Sequence, residues 1–264
     1  MSTQLDSRRP TPLGPVLCRY GDVSHSAWTL VCCLGAAEPS SCIAGWRNYL
    51  HPDVDFVVAE RSGIGRRMSE VPLSDLKSVV DELVGALEPL INDKPIVLLG
   101  HSVGTLVSFR AASTLAASGH KQLALVVCNG RSPTVQDPIA MSEWSDDEIV
   151  TKLVQVRPRA QPLVARPDFL DLYLAAIRAD LSLYASDERW KGRTESVRFP
   201  IFALGAKDDD LVPSAQMWKW SDLASGPFVY QIFSDGGHYL PIDDPPRFLL
   251  QLSTLLKHYF FAGE

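Results

Sequence analysis

An α/β fold, with a mostly parallel central sheet flanked by helices, is what this sequence predicts, on three observations. Six short apolar runs, Thr29 to Leu34, Val54 to Ala59, Ile96 to Leu99, Leu123 to Cys128, Ile201 to Leu204 and Phe228 to Phe233, are continuous rather than alternating. Strands buried on both faces read that way. Helix-period segments fall between the runs, which is the order of a doubly wound sheet. From Ser145 to Arg189, by contrast, no strand pattern occurs and only helical segments are found.

The elements follow in order. Residues 1–15, rich in Pro, Ser and Arg, read as a loose tail. After the second run, Leu76, Val79, Val80, Leu83, Val84 and Leu87 repeat at the spacing of one helix face, with Ser74 placed to cap its start. Another helix is predicted from Thr105 through Ser118. The strandless stretch divides into helices near Asp146 to Val154 and Pro167 to Tyr184, separated by Arg157-Pro158-Arg159. Such an insertion, spanning about residues 140–190, is predicted to form a helical lid. Asp244-Pro245-Pro246 announces the last helix, a capping residue before prolines that a first turn tolerates. One domain over 1–264 accommodates all of this.

Composition narrows the function. A formal charge of -6 argues against a nucleic-acid partner held by electrostatics. The N-terminus has no apolar core of signal-peptide length, and no later apolar run reaches membrane-spanning length, so a soluble cytoplasmic protein is expected. Cys18, Cys32, Cys33, Cys42 and Cys128 are not at metal-ligand spacing and are expected to be reduced and mostly buried.

Chemistry enters with Gly100-His101-Ser102-Val103-Gly104, set between a strand and a helix. A Gly-x-Ser-x-Gly in that context is the nucleophile elbow of an α/β-hydrolase, a turn so sharp that the neighbours of the serine must be small. A serine hydroxyl then needs a base and a carboxylate to orient that base, in the order Ser, acid, His. His238 is the candidate base, since it follows the last strand and the flexible Gly236-Gly237 pair. His101, adjacent to the nucleophile, points away on such a turn and reads as a packing or hydrogen-bonding residue. For the acid, Asp208, Asp209 and Asp210 are consecutive; the Gly-x-x-Asp spacing from Gly205 favours Asp208, with Asp209 second. The oxyanion hole is expected from the backbone N–H of Val103 and that of Ala36, in the loop Leu34-Gly35-Ala36-Ala37-Glu38.

With those residues in place, the chain resembles a type II thioesterase, the stand-alone editing enzyme of polyketide and nonribosomal peptide assembly lines. The resemblance runs from about Leu30 to Phe260. It is carried by Leu30-Val31-Cys32-Cys33, Trp46, Leu50 and Pro52-Asp53, the elbow, Cys128-Asn129-Gly130-Arg131-Ser132-Pro133, Asp146 to Val150, Arg178-Ala179-Asp180, Trp218 and Gly236-Gly237-His238-Tyr239-Leu240. It implies hydrolysis of acyl groups from the phosphopantetheine arm of an acyl or peptidyl carrier protein, through an acyl-serine, without metal or dissociable cofactor. Two loops depart from the family. Leu34-Gly35-Ala36-Ala37-Glu38 stands where Pro-His-Ala-Gly-Gly is usual, and Glu60-Arg61-Ser62-Gly63-Ile64-Gly65 where Gln-Tyr-Pro-Gly-Arg-Gly is usual.

Lid residues Phe169, Leu172, Tyr173 and Ile177, with Trp144 and Leu153, are candidates to line or cover the acyl pocket. Arg66 and Arg67 are candidates for a basic rim that meets an acidic carrier protein, joined by Arg157, Arg159 and Arg166 from the lid. A monomer is expected. A carboxylesterase, an acyltransferase of the same fold, and a catalytically weak interaction protein are the competing readings.

Overall fold

The computed structural model describes residues 9–24, 26–91, 94–135, 141, 143–187 and 196–260. A single eight-stranded sheet organises them, in the order β1-β2-β4-β3-β5-β6-β7-β8. Its strands are β1 (Pro10–Leu13), β2 (Leu17–Tyr20), β3 (Trp28–Cys33), β4 (Val54–Ala59), β5 (Ile96–His101), β6 (Leu123–Cys128), β7 (Ile201–Ala206) and β8 (Phe228–Phe233). From β4 to β8 every pairing is parallel, whereas β1 pairs with β2 and β2 with β4 antiparallel. The mostly parallel sheet read from the six apolar runs is thus present.

Two strands were not among those runs. Residues 10–13, assigned to a loose tail, instead form β1 at the edge of the sheet, with Leu13 opposite Leu17. Pro10 and Pro12 disguise it, since proline is admitted at an edge but not in a central strand. Residues 1–8 of that tail, and His25, lie outside the described residues.

The helices are α1 (Leu76–Leu87), α2 (Gly104–Ala117), α3 (Asp146–Val156), α4 (Gln161–Val164), α5 (Pro167–Ser186), α6 (Ser214–Trp218), α7 (Leu240–Asp243) and α8 (Pro245–Phe260). Helix α1 buries Leu76, Val79, Val80, Leu83 and Leu87 of the predicted stripe, and Val84 is half-buried. Its cap is Asp75 rather than Ser74: the Asp75 carboxylate accepts from the Ser78 N–H at 2.8 Å. In the insertion, Ser145 and Glu148 close a reciprocal capping box at the start of α3, satisfying N–H groups that a helix start leaves unpaired. Positions 140, 142 and 188–190 of the predicted insertion lie outside the described residues.

Alternation along the strands divides the core between the two faces of the sheet. Val31, Leu98, Leu125 and Val127 join α1 and α2 on one face. Leu30, Val97, Leu99 and Val126 join Trp46, Phe56 and Phe248 on the other. A third, smaller cluster of Ala37, Ile64, Ile149, Leu174, Ala176 and Ile177 seats the insertion on the loops at the C-terminal end of the sheet. That end is where ligands bind in open α/β sheets. The five cysteines are free, four of them buried. No helix among the described residues is long and apolar enough to cross a membrane.

Candidate active site

Ser102 follows β5 directly and has φ 54°, a left-handed conformation that a side chain adopts at a cost of about 1–3 kcal/mol. The surrounding glycines permit it. A Cβ on Gly100 would lie 2.3 Å from Thr105 Cα, and one on Gly104 would lie 2.1 Å from the Cys33 carbonyl oxygen. The turn is held from outside: the Ser102 N–H donates to the Cys128 carbonyl at 3.0 Å, and the Thr105 hydroxyl donates to the Ser102 carbonyl at 2.6 Å. Ser102 and Val103 line a cleft beneath the insertion.

His238 reaches the same cleft from the loop after β8 and is buried. Its Nδ1 lies 2.9 Å from Asp209 Oδ2 and 3.1 Å from Oδ1. Here the structure corrects the choice among the three aspartates: the partner of His238 is Asp209, not Asp208. Strand β7 continues to Ala206, past the expected end at Leu204, and the Asp209 N–H bonds back to the Ala206 carbonyl. That turn directs the next carboxylate inward. Asp208 remains exposed and accepts the N–H groups of Gly236 and Gly237 at 3.2 and 2.8 Å, which shapes the loop carrying the histidine. Burial alone would raise the carboxyl pKa of Asp209. The hydrogen bond and charge of His238, with the N–H groups of Val212 and Leu211, overcome it and hold the group below its ordinary value.

Asn129, at the end of β6 with φ 47°, donates to the carbonyls of Gly237 and His238 at 2.8 and 2.9 Å. It anchors the His238 loop, a role that no motif in the sequence announces.

Ala36 lines the cleft beside Val103. The N–H groups flanking it are engaged: that of Gly35 donates to Glu38 Oε2 and that of Ala37 to Asp180 Oδ2, both at 2.8 Å. Arg61 grips the same loop, donating to the carbonyls of Leu34 and Gly35 at 3.1 and 2.8 Å while pairing with Asp180 of α5 at 2.7 Å. Glu38, the charge that departs from the family pattern, is buried against His101 Nδ1 at 3.1 Å and Arg157 at 3.4 Å. None of these pairings was read from the sequence; the charged residues in a small-residue loop were the signal.

The cleft encloses about 750 Å³ including its open mouth. Ile177, Trp144 and Leu153 line it, as expected, together with Ile149, Val156, Leu181 and Tyr184. The other three lid candidates are placed elsewhere. Phe169 and Tyr173 stack on each other with ring centroids 5.7 Å apart, Tyr173 packs against the third core cluster, and Leu172 is 51% exposed. Two of the basic-rim candidates differ in placement, Arg66 exposed and Arg67 buried. Arg67 is buried and bonded to Glu70 and Glu82, and Arg66 bonds to Glu60. Both guanidiniums serve internal ion pairs. Among the described residues no group of three or more His, Cys, Asp or Glu side chains is arranged to hold a metal ion.

A serine on a left-handed strand-to-helix turn, a buried histidine paired with a carboxylate, and a parallel sheet beneath them define the α/β-hydrolase class. A thioesterase domain family model matches residues 29–255, and the chain belongs to that family; it is a thioesterase. Thioesterase PikA5 of Streptomyces venezuelae is 25% identical over 224 residues, covering 84% of this chain and 79% of that protein. Gramicidin S biosynthesis protein GrsT of Aneurinibacillus migulanus is 25% identical over 213 residues, covering 80% and 81%. The fold is shared with YbtT, a type II thioesterase from the yersiniabactin pathway, at TM-score 0.81 and 21% identity over 92% of this chain and 99% of that one. The resemblance read from the sequence is therefore the one that the relatives carry.

Proposed function

We propose that this thioesterase hydrolyses acyl groups from the phosphopantetheine arm of an acyl or peptidyl carrier protein, clearing stalled or wrongly primed stations of an assembly line. The observation that carries the reading is the meeting of Ser102 and His238 on an apolar cleft roofed by α3 and α5, with Asp209 buried behind the imidazole. The name of the relative GrsT, a gramicidin S biosynthesis protein, supports the choice of substrate.

In the proposed reaction Ser102 Oγ attacks the thioester carbonyl while His238 Nε2 takes the hydroxyl proton. Asp209, accepting from His238 Nδ1, fixes the tautomer that leaves Nε2 bare and balances the imidazolium that forms. The N–H groups of Ala36 and Val103 stabilise the oxyanion. The C–S bond then breaks, the thiol departs with the proton from His238, and water activated by the same histidine releases the acid from the acyl-serine. Helices α3 to α5 act as a lid that keeps the acyl chain out of bulk water. The protein acts as a cytoplasmic monomer and needs no cofactor.

Mass spectrometry of acyl-loaded carrier protein before and after exposure to the enzyme tests this. The acyl mass is expected to disappear with wild type and persist with Ser102→Ala. Comparable or higher kcat/KM on simple esters, with carrier-bound acyl groups left intact, would assign the chain to carboxylesterases instead.

A further inference from the structure

Position 38 carries a buried carboxylate in a loop where the family usually has glycine, and that carboxylate joins three parts of the site. Oε2 accepts the Gly35 N–H at 2.8 Å and faces His101 Nδ1 at 3.1 Å, while Oε1 meets Arg157, which follows α3, at 3.4 Å. The opposite nitrogen of His101, Nε2, lies 2.8 Å from the backbone carbonyl of His238. A carbonyl only accepts, so Nε2 carries a hydrogen and donates it. The remaining proton is shared between Nδ1 and the carboxylate. Burial would neutralise each group, but each holds the other charged: the Glu38 carboxyl is lowered and the His101 imidazole raised from its ordinary value.

Glu38 and His101 thus form a second carboxylate–imidazole pair beside that of Asp209 and His238, the two imidazole rings 5.1 Å apart. It lacks a nucleophile of its own, since both nitrogens of His101 are engaged. What it does is geometric. The pair begins in the loop that carries Ala36, passes through the residue before Ser102, and ends on the backbone of His238.

We propose that Glu38 is a positioning residue for the oxyanion site: through the Gly35 N–H and His101 it fixes the Ala36 loop against the elbow and the His238 loop. The pair packs closely on the loop: a Cβ on Gly35 would lie 2.8 Å from Glu38 Oε2 and 3.3 Å from His101 Nδ1. Arg61 and Asp180 hold the backbone of Leu34, Gly35 and Ala37, and Glu38 is the residue that ties the loop to His101. An oxyanion donor moved by a fraction of an ångström acts most on the transition state, where the charge resides, and least on the bound ester.

The inference rests on the reading of Ser102 as nucleophile and Ala36 as donor, and the test uses a small acyl thioester so that it does not depend on a carrier protein. Glu38→Gln keeps an oxygen for the Gly35 N–H and removes the charge that holds His101. Three quantities are measured: kcat/KM, the Ki of a matching trifluoromethyl ketone, whose adduct with serine carries an oxyanion, and the Kd of an unreactive thioether analogue. Removing one oxyanion donor costs on the order of 10²–10³-fold, so displacing one is expected to cost about 10–100-fold in kcat/KM. The ketone Ki should rise by the same factor while the thioether Kd stays within about twofold. Unchanged kcat/KM and Ki overturn the proposal, and so does a thioether Kd that weakens in parallel. If Glu38→Gln does not fold, Arg157→Gln weakens the same carboxylate's hold from its more accessible side. A rise in ketone Ki of about threefold or more, without change in the thioether Kd, then supports the proposal, and none overturns it. Full activity of Ser102→Ala would instead overturn the underlying reading of the nucleophile.

Discussion

Asp209 and His238 meet in a pocket that leaves the side chain of the aspartate wholly inaccessible and that of the histidine 3% exposed, with 2.9 Å between Oδ2 and Nδ1. The second oxygen is not idle, because Oδ1 also accepts the N–H groups of Leu211 and Val212 at 2.8 and 2.9 Å. The carboxylate is thereby locked against rotation, and its orientation dictates that of the imidazole. Its neighbour Asp208 holds the glycine loop from outside and touches no ring.

The two aspartates are therefore separable by experiment. Asp209→Asn is expected to lower kcat by about 10³–10⁴-fold, since an amide admits the wrong imidazole tautomer. Asp208→Asn keeps an acceptor for the Gly237 N–H and is expected to stay within about threefold of wild type, the loss of a surface polar contact being small. Steady-state kinetics of both variants on one thioester decide the matter; equal losses would mean that the loop, rather than the pairing, sets the rate.

A pH dependence of stability follows from the Glu38–His101 pair. His101 is raised in the folded protein, where Glu38 outweighs burial, so its contribution is complete below the ordinary imidazole value of 6.5 and is lost as pH climbs through the raised one. Glu38 is lowered, where His101 and Arg157 outweigh burial, so its contribution is present above the ordinary 4.5 and is lost as pH falls through the lowered value. The pair stabilises most between those ordinary values. Melting curves of wild type and Glu38→Gln should differ most near pH 5–6 and draw together as pH rises through the raised His101 value. A gap that keeps its size at every pH where the protein stays folded would show that the pair is not ionic.

What the sequence made legible follows from how locally each feature is specified. Five of the six predicted strands, β3 to β7, are buried on both faces and are marked by composition alone, whereas β8 is a half-buried edge strand of the same composition; Ser102 is marked by glycines that no other residue can replace at Gly100 and Gly104. Strand β1 carries two prolines, and β2 has only four residues, so neither shows a pattern of its own. Asp209 could not be separated from Asp208 without knowing where β7 ends. The partners Glu38 and His101 stand 63 positions apart, and Arg61 and Asp180 119. Such pairings are chosen by topology, and no spacing rule announces them.

Chain-length preference should respond to lid residues that line the cleft and not to exposed ones. Leu153 lines the cleft and is half-buried, so Leu153→Trp is expected to shift preference toward shorter acyl groups. One methylene in an apolar pocket is worth about 1–3 kcal/mol of discrimination, which makes the shift visible in a series of kcat/KM values. Leu172→Ser, on an exposed position, should leave both the profile and the melting temperature unchanged. A shift with Leu172→Ser and none with Leu153→Trp would place the acyl chain against the exposed side of α5 instead of against α3.

Arg66 and Arg67, neighbours in sequence, should fail differently when altered. Arg67 is 5% exposed overall and donates to Glu70, to Glu82 and to the Glu60 carbonyl. Arg67→Glu would set three carboxylates together where a guanidinium had joined two. Breaking a buried ion pair costs about 3–5 kcal/mol, but Glu70 and Glu82 are partly solvated, which reduces the expected loss to about 2–3 kcal/mol. Arg66 has a side chain 32% exposed above the buried Glu60, so Arg66→Gln leaves that carboxylate with the Ser40 hydroxyl and N–H and costs less, about 1 kcal/mol. Urea unfolding of each variant measures these losses. KM for carrier-bound substrate should remain within about twofold in Arg66→Gln, because the guanidinium faces its own chain. A rise in KM for carrier-bound substrate alone, at unchanged stability, would return Arg66 to the docking surface that its charge first suggested.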